Sequence, residues 1–427
     1  MKKSLTILSF FIFVITVSGQ DFDTYFQDTT LRVDYLFSGN IKQQKISLDH
    51  LSSIPCWAGR RHNLDALPLE GNGQITMRDI ATEEIIYRMS FSSLFQEWLT
   101  TDEAKRLSKG FENTFTLPYP RRTAEICVTL TDNRGKIAAS LTHLIDPADI
   151  LIEKKQKSPS HPFKYLLKNG SYKDCIDIAI LAEGYTAAET ELFYKDARIA
   201  CDNLFSHEPF SKMKKRFNVI AVASASDNSG VSTPRHNDWR NTVFGSHFDT
   251  FYSPRYLTTK NVKTVHDILT GIPYEHIVIL ANTDVYGGGG IYNAFTLTST
   301  HHDQFGPVIV HEFGHSFGGL ADEYFYENDI FSESYPNDTE PWEQNITTLV
   351  DFGSKWKDML APGTPIPDKY TPKNGDCRTL GIYEGAGYSA KGVYRSTPDC
   401  RMKSNEAREF CPVCRRALER LILFYTE

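Results

Sequence analysis

From residue 21 to about residue 150 the apolar positions recur every second residue in short runs. Such runs cover residues 31–36, 74–77, 86–91, 125–130 and 137–145, and turn formers separate them at Gly59, Gly71-Asn72-Gly73, Pro118, Pro120 and 132–135. A period of two sends alternate side chains to opposite faces of a strand, so this stretch predicts an antiparallel all-β sandwich. Residues 132–135, Asp-Asn-Arg-Gly, make its best hairpin turn. A helical patch at about 95–108 interrupts the pattern. The stretch holds no cluster of ligands or nucleophiles, which points to a structural or recognition role.

The pattern changes after a polar, basic, proline-containing segment, 151–162, which reads as a linker. Beyond it, continuous apolar runs at 175–181, 216–223 and 276–281 predict buried strands. Thr186, with Glu189 three residues on, has the form of a capping box and predicts a helix over 187–205; a second helix is expected near 262–269. Strands alternating with helices give an α/β layer with right-handed crossovers. Gly287 to Gly290 lack the lysine and the spacing of a nucleotide-binding loop, and read as a flexible lead into an edge strand at 291–298. An extended peptide could pair with such an edge. Residues 325–372 are loop-rich and predict the lower wall of a cleft, and a terminal helix is expected at 415–424.

The order of elements divides the chain into an N-terminal β-sandwich domain (20–150), the linker (151–162) and an α/β (α+β) domain (163–427). A chain of 427 residues has material for two such cores. A hydrophobic content of 41% with 23% charged residues is ordinary for a globular protein, and the net charge of −7 argues against a nucleic-acid partner.

Residues 1–19 change the picture of where the chain works. Lys2 and Lys3 precede an apolar run from about Leu5 to Val17, then Ser18 and Gly19, the pattern of a secretory signal peptide with cleavage before Gln20. The run is shorter than the roughly 20 residues that span a bilayer, and no cysteine follows it to accept a lipid. A secreted, periplasmic or cell-surface protein is expected, with no membrane span after cleavage. The even count of eight cysteines fits disulfides in such a compartment. A structural zinc site built from Cys377, Cys400, Cys411 and Cys414 is the alternative reading.

The chemistry lies in residues 308–324, VIVHEFGHSFGGLADEY. Val308, Ile309 and Val310 read as a buried helix start, Pro307 suits a first turn, and Gly318-Gly319 end the helix. On a helix His311 and His315 share a face, so both rings can meet one zinc ion while Glu312 stands beside them. Zinc lowers the pKa of a bound water towards about 7, and a carboxylate can take its proton as it attacks a carbonyl. A catalytic zinc usually has three protein ligands. Asp322, just past the glycine pair, is the preferred third; Glu323 and a distant residue stay open.

An HExxH helix, a glycine three residues on and a methionine in a later turn together resemble the metzincin plan of zinc endopeptidases. More narrowly, HEFGHSFGGLADEY with Cys400-Arg401-Met402 and FCPVC (410–414) is similar to the IgA-peptidase family of metallo-endopeptidases, in which an all-β domain precedes the protease domain. The resemblance implies a zincin-like fold for residues 163–427 and one catalytic zinc held by His311, His315 and Asp322. It makes Glu312 the general base and then acid, and Met402 the structural methionine beneath the metal. It also suggests that Tyr324 packs at the centre or helps to hold an oxyanion or the third ligand, and that a Cys400–Cys411 disulfide staples the methionine turn. The chain departs from the metzincin plan at one point, because the position six residues after the second histidine is Ala321, which cannot bind metal.

The expectation is thus an exported zinc endopeptidase acting on extracellular proteins or glycoproteins, with mucin-like chains as admissible as immunoglobulin A. A surface protein- or glycan-binding protein with a vestigial protease domain is the competing reading, and the intact HExxH set speaks against it. Zinc-dependent hydrolysis of a non-peptide bond is a third.

Overall fold

The computed structural model describes residues 21–156, 158–325, 334–367 and 379–427. The expected signal peptide and Cys377 lie outside the described residues. A short helix α1 (Phe22–Tyr25) leads into β1 (Phe26–Gly39), followed by β2 (Gln44–Pro55), β3 (Gly73–Asp79), β4 (Ile85–Phe91), α2 (Leu94–Leu99), β5 (Lys109–Pro120), β6 (Ala124–Thr131), β7 (Ile137–Ile145) and β8 (Glu153–Lys154). They form two four-stranded sheets, β5-β1-β2-β8 and β4-β3-β6-β7. Burial alternates along β6, so Ala124, Ile126, Val128 and Leu130 point inward to meet Leu31, Val33, Tyr35 and Phe37 of β1 in one core. That is the antiparallel sandwich the period of two predicts. The helical patch resolves into α2 and a single turn at 102–105, after which β5 begins. The stretch read as a linker contains β8, which pairs in parallel with β2.

The second half continues with β9 (Phe163–Leu167), β10 (Ile176–Glu183), α3 (Thr190–Leu204), β11 (Phe217–Val222), α4 (Val262–Ile268), β12 (His276–Ala281), β13 (Gly288–Ile291), β14 (Phe295–Ser299) and α5 (Phe305–Ser316). Their sheet runs β13-β14-β12-β10-β11-β9, parallel through β14, β12, β10 and β11, with antiparallel strands β13 and β9 outside. Every residue of β10, β11 and β12 is buried, as a parallel sheet covered on both faces requires. Ile176, Ile178, Ile180 and Ala182 pack with α3 and α5, whereas Ala179 and Leu181 turn to the other face and join the core that includes the sandwich. The capping box forms as predicted, with the Thr186 N–H donating to Glu189 Oε2 at 2.8 Å.

One expectation changes. The glycines at 288–290 are themselves the edge strand β13, and the run expected to be the edge lies one place inward as β14. A small sheet β15-β17-β16, from β15 (Ile346–Thr347), β16 (Tyr383–Ala386) and β17 (Ser389–Arg395), precedes the terminal helix α6 (Pro412–Thr426). Among the described residues no helix is long and apolar enough to cross a membrane.

The two halves share a buried polar joint. Arg32 of β1 donates from Nε and Nη2 to the Asp34 carboxylate at 2.9 and 3.0 Å, from Nη1 to Asp267 at 2.6 Å and from Nη2 to the Lys263 carbonyl of α4 at 3.2 Å. The Arg32 and Asp34 side chains are only 3% and 4% exposed, so neither charge has water to fall back on. Removing one partner of a buried pair strands the other, which costs about 3–5 kcal/mol. Arg32→Ala is therefore expected to lower the urea unfolding midpoint by that equivalent. A loss no larger than the ~0–1 kcal/mol of a surface ion pair would show that the joint is not buried in solution.

Candidate metal centre

Helix α5 lies over β13 and β14, and its inner side is apolar: Val308, Ile309, Val310 and Phe313 are buried. His311, Glu312 and His315 take the side that stays partly exposed. After the C-cap at Phe317, Gly319 enters the left-handed region at φ +56°. Its N–H reaches the His315 carbonyl at 2.9 Å, and the Leu320 N–H reaches that of Gly314 at 3.1 Å. This glycine-dependent stop reverses the chain and brings residues 320–323 back beneath the histidines.

Each imidazole is held by a backbone carbonyl. His311 Nδ1 lies 2.8 Å from the Arg401 oxygen and His315 Nδ1 2.6 Å from that of Leu320. A carbonyl only accepts, so both Nδ1 atoms carry the proton and both Nε2 lone pairs face the cleft. The two Nε2 atoms are 3.1 Å apart. Asp322 Oδ1 completes the group at 3.0 Å from His311 and 3.3 Å from His315, with no well-formed hydrogen bond to either. Three electron-rich atoms aimed at one point fit a shared cation, and His311, His315 and Asp322 could hold one. Without a cation a proton must take its place. Burial pushes His315 down, but the Asp322 carboxylate outweighs it and lifts the imidazole to about 9. Burial likewise works to raise Asp322, and the His315 charge overrides it and holds the carboxyl well below the usual range.

Asp322 owes its place to residues that sequence reasoning missed. The Asn345 amide brackets Ala321, accepting from its N–H and donating to its carbonyl, both at 2.8 Å. Asn345 is fully buried. The Tyr388 hydroxyl, from the turn between β16 and β17, donates to Asp322 Oδ2, and the Gly387 N–H reaches the Asp322 carbonyl at 2.9 Å. Glu323, the reserve ligand, points away towards Cys414. Tyr324 stacks near His311, with ring centroids 6.4 Å apart. Met402 is fully buried, and its carbonyl accepts from the Glu323 N–H at 2.8 Å. Its sulfur lies so close under α5 that a Cβ on Gly314 would come within 2.6 Å of it.

Glu312 stands on the opposite side of the histidines from Met402, against β13. A Cβ on Gly288 would meet Glu312 Cγ at 3.2 Å, and one on Gly290 would come 2.2 Å from the Glu312 carbonyl oxygen. Burial raises the Glu312 carboxyl above its ordinary value, against the pull of His311 and His315. The sandwich also reaches this wall. Glu97 of α2 accepts from the Tyr256 hydroxyl, and burial lifts its carboxyl to about 7. The Cys400–Cys411 disulfide is not formed: Cys400 Sγ instead accepts from the Cys411 N–H at 3.2 Å.

The family description "IgA Peptidase M64" matches residues 165–377 and 372–422, and "Peptidase M64 N-terminus" matches residues 21–142. No curated protein matches the chain. The first of these spans more than half of the chain and takes in α5, Asp322 and Met402. The second coincides with the β-sandwich. This chain belongs to the IgA peptidase M64 family, a family of peptidases, with that family's N-terminal domain in front of the peptidase domain.

Proposed function

We propose that the protein is an exported, zinc-dependent endopeptidase with a zincin-like catalytic domain, hydrolysing peptide bonds in extracellular proteins or glycoproteins. The observation that carries this reading is the convergence of His311 Nε2, His315 Nε2 and Asp322 Oδ1, with both Nδ1 atoms tied to carbonyls. His311, His315 and Asp322 would hold the ion, and zinc suits a set of two imidazoles and one carboxylate with a position left open. Bound zinc supplies Lewis acidity, polarising a carbonyl and acidifying water. Glu312, raised by burial, takes a proton from the attacking water and returns it to the leaving amine. Met402 packs beneath the histidines as a floor. A substrate lying extended along β13, beyond the point where Tyr256 bridges Gly288, would pass directly beside Glu312. Export rests on the apolar segment at 5–17 and its lysines.

Unbiased peptide-library cleavage by the mature protein is the test. Cleavage should stop with chelator and return with zinc. Glu312→Gln should lower kcat/KM by at least roughly 100-fold with metal content unchanged. A zinc-loaded wild type that cleaves nothing would favour the binding-protein reading, and chelator-resistant cleavage would remove the metal from the mechanism.

Tyr388→Phe deletes the donor to Asp322 without touching the three ligand atoms. Loss of an outer-shell partner typically costs 10–100-fold, so zinc affinity by competition titration is expected to fall by roughly that factor. An unchanged affinity would mean that the backbone, fixed by Asn345 at Ala321 and by Gly387 at the Asp322 carbonyl, is enough to place the carboxylate.

A further inference from the structure

A second cluster lies behind the first. Glu323, Cys400, Cys411 and Cys414 are each fully buried, and one ligand atom from each falls within 4.8 Å of all the others. They come from three segments: the chain leaving α5, the methionine turn and the start of α6. We propose that these four residues bind a second, structural zinc ion that braces the catalytic centre from behind.

The dimensions suit that ion. Zinc bonds of about 2.3 Å to sulfur and about 2.0 Å to oxygen, at tetrahedral angles, set S–S edges of about 3.8 Å and S–O edges of about 3.5 Å. Cys400 Sγ and Cys414 Sγ are 3.7 Å apart, and Cys414 Sγ is 3.2 Å from Glu323 Oε1. Two of the three sulfurs also face backbone donors, while the third, Cys414, points its S–H at Glu323 Oε1, a proton that a bound ion would displace. Cys400 accepts from the Cys411 N–H at 3.2 Å, and Cys411 accepts from the Cys414 N–H at 3.4 Å and lies 3.2 Å from the Ser396 hydroxyl. The amino end of α6, 15 residues long, adds its positive pole at Cys411 and Cys414.

A disulfide would leave this cluster incomplete. Any two of the sulfurs could join, but the third thiol and Glu323 would stay together without water, and Glu323 Oε2 already has no hydrogen-bond partner. An ion satisfies all four at once. It would also tie together the neighbours of the catalytic group, since Glu323 adjoins Asp322 and Cys400 is two residues before Met402.

The test is zinc content and X-ray absorption of full-length mature protein purified without chelator. Wild type is expected to hold about two zinc ions per chain, with a Zn–S shell near 2.3 Å. His311→Ala/His315→Ala should keep one ion and show a sulfur-dominated shell. Cys411→Ser/Cys414→Ser should lose the sulfur-bound ion. Non-reducing peptide mapping should find Cys400, Cys411 and Cys414 as free thiols after denaturation in chelator. A wild type without any Zn–S shell, or a disulfide joining any two of the three, would overturn the proposal; both readouts use wild type and do not depend on a variant folding. A catalytic reading that failed would instead show the sulfur-bound ion with no cleavage.

Discussion

The constraint that organises the molecule is the placing of Asp322, a carboxylate with almost no water, beside two imidazoles whose protons are already committed elsewhere. An anion in that position is costly unless a positive charge meets it at short range. The rest of the fold can be read as fixing the participants. Leu320 and Arg401 hold the rings by their carbonyls, and these come from either side of a gap of some eighty residues. Tyr388 holds the acid and Asn345 holds the backbone of Ala321 before it, again from distant segments. Loops carry most of these contacts, but each loop is anchored: on Met402, on the small three-stranded sheet, or on α6.

What the sequence made legible follows from range. His311 and His315 are related by helical periodicity, a local property, and α5 forms where its apolar positions and glycine stop place it. The strands of the parallel sheet announce themselves because continuous apolar runs are what two-sided burial demands. Chemical need and a family resemblance favour Asp322 over Glu323 in the sequence, whereas in the fold the two differ by direction: one acid faces the histidines and its neighbour faces the cysteines. Nothing local marks Asn345 or Tyr388. Asn345 is a single polar residue in a loop-rich stretch, and only the fold brings its amide to Ala321 and Glu323, where it makes three hydrogen bonds. The Cys400–Cys411 pairing is not made for a related reason: cysteine spacing carries no information about a carboxylate that arrives from elsewhere in the chain.

The N-terminal sandwich looks separable in sequence and is not peripheral in space. Its core runs into the one that covers a face of the parallel sheet, so the second half would expose apolar strands without it. The contacts extend to the cleft. The Ser92 N–H reaches the Tyr292 carbonyl at 3.0 Å, and Asn293 Nδ2 reaches that of Ser90 at 2.8 Å, gripping the turn between β13 and β14. Glu97 holds Tyr256, which packs across Gly289. A domain without a ligand cluster of its own thus sets the position of the strand nearest Glu312.

That strand explains a run of four glycines better than flexibility does. Side chains on β13 would have to occupy space already filled by Glu312 Cγ, His315 Cβ and the Tyr256 ring. With hydrogen in place of Cβ, the backbone can lie against α5 and still pair with β14 on its other side. The sheet edge is therefore brought to the helix by the absence of side chains. A larger residue at position 290 would collide with the Glu312 backbone, so β13, Glu312 and His315 would have to move together. Close approach here, and not conformational freedom, is the physical requirement that selects glycine.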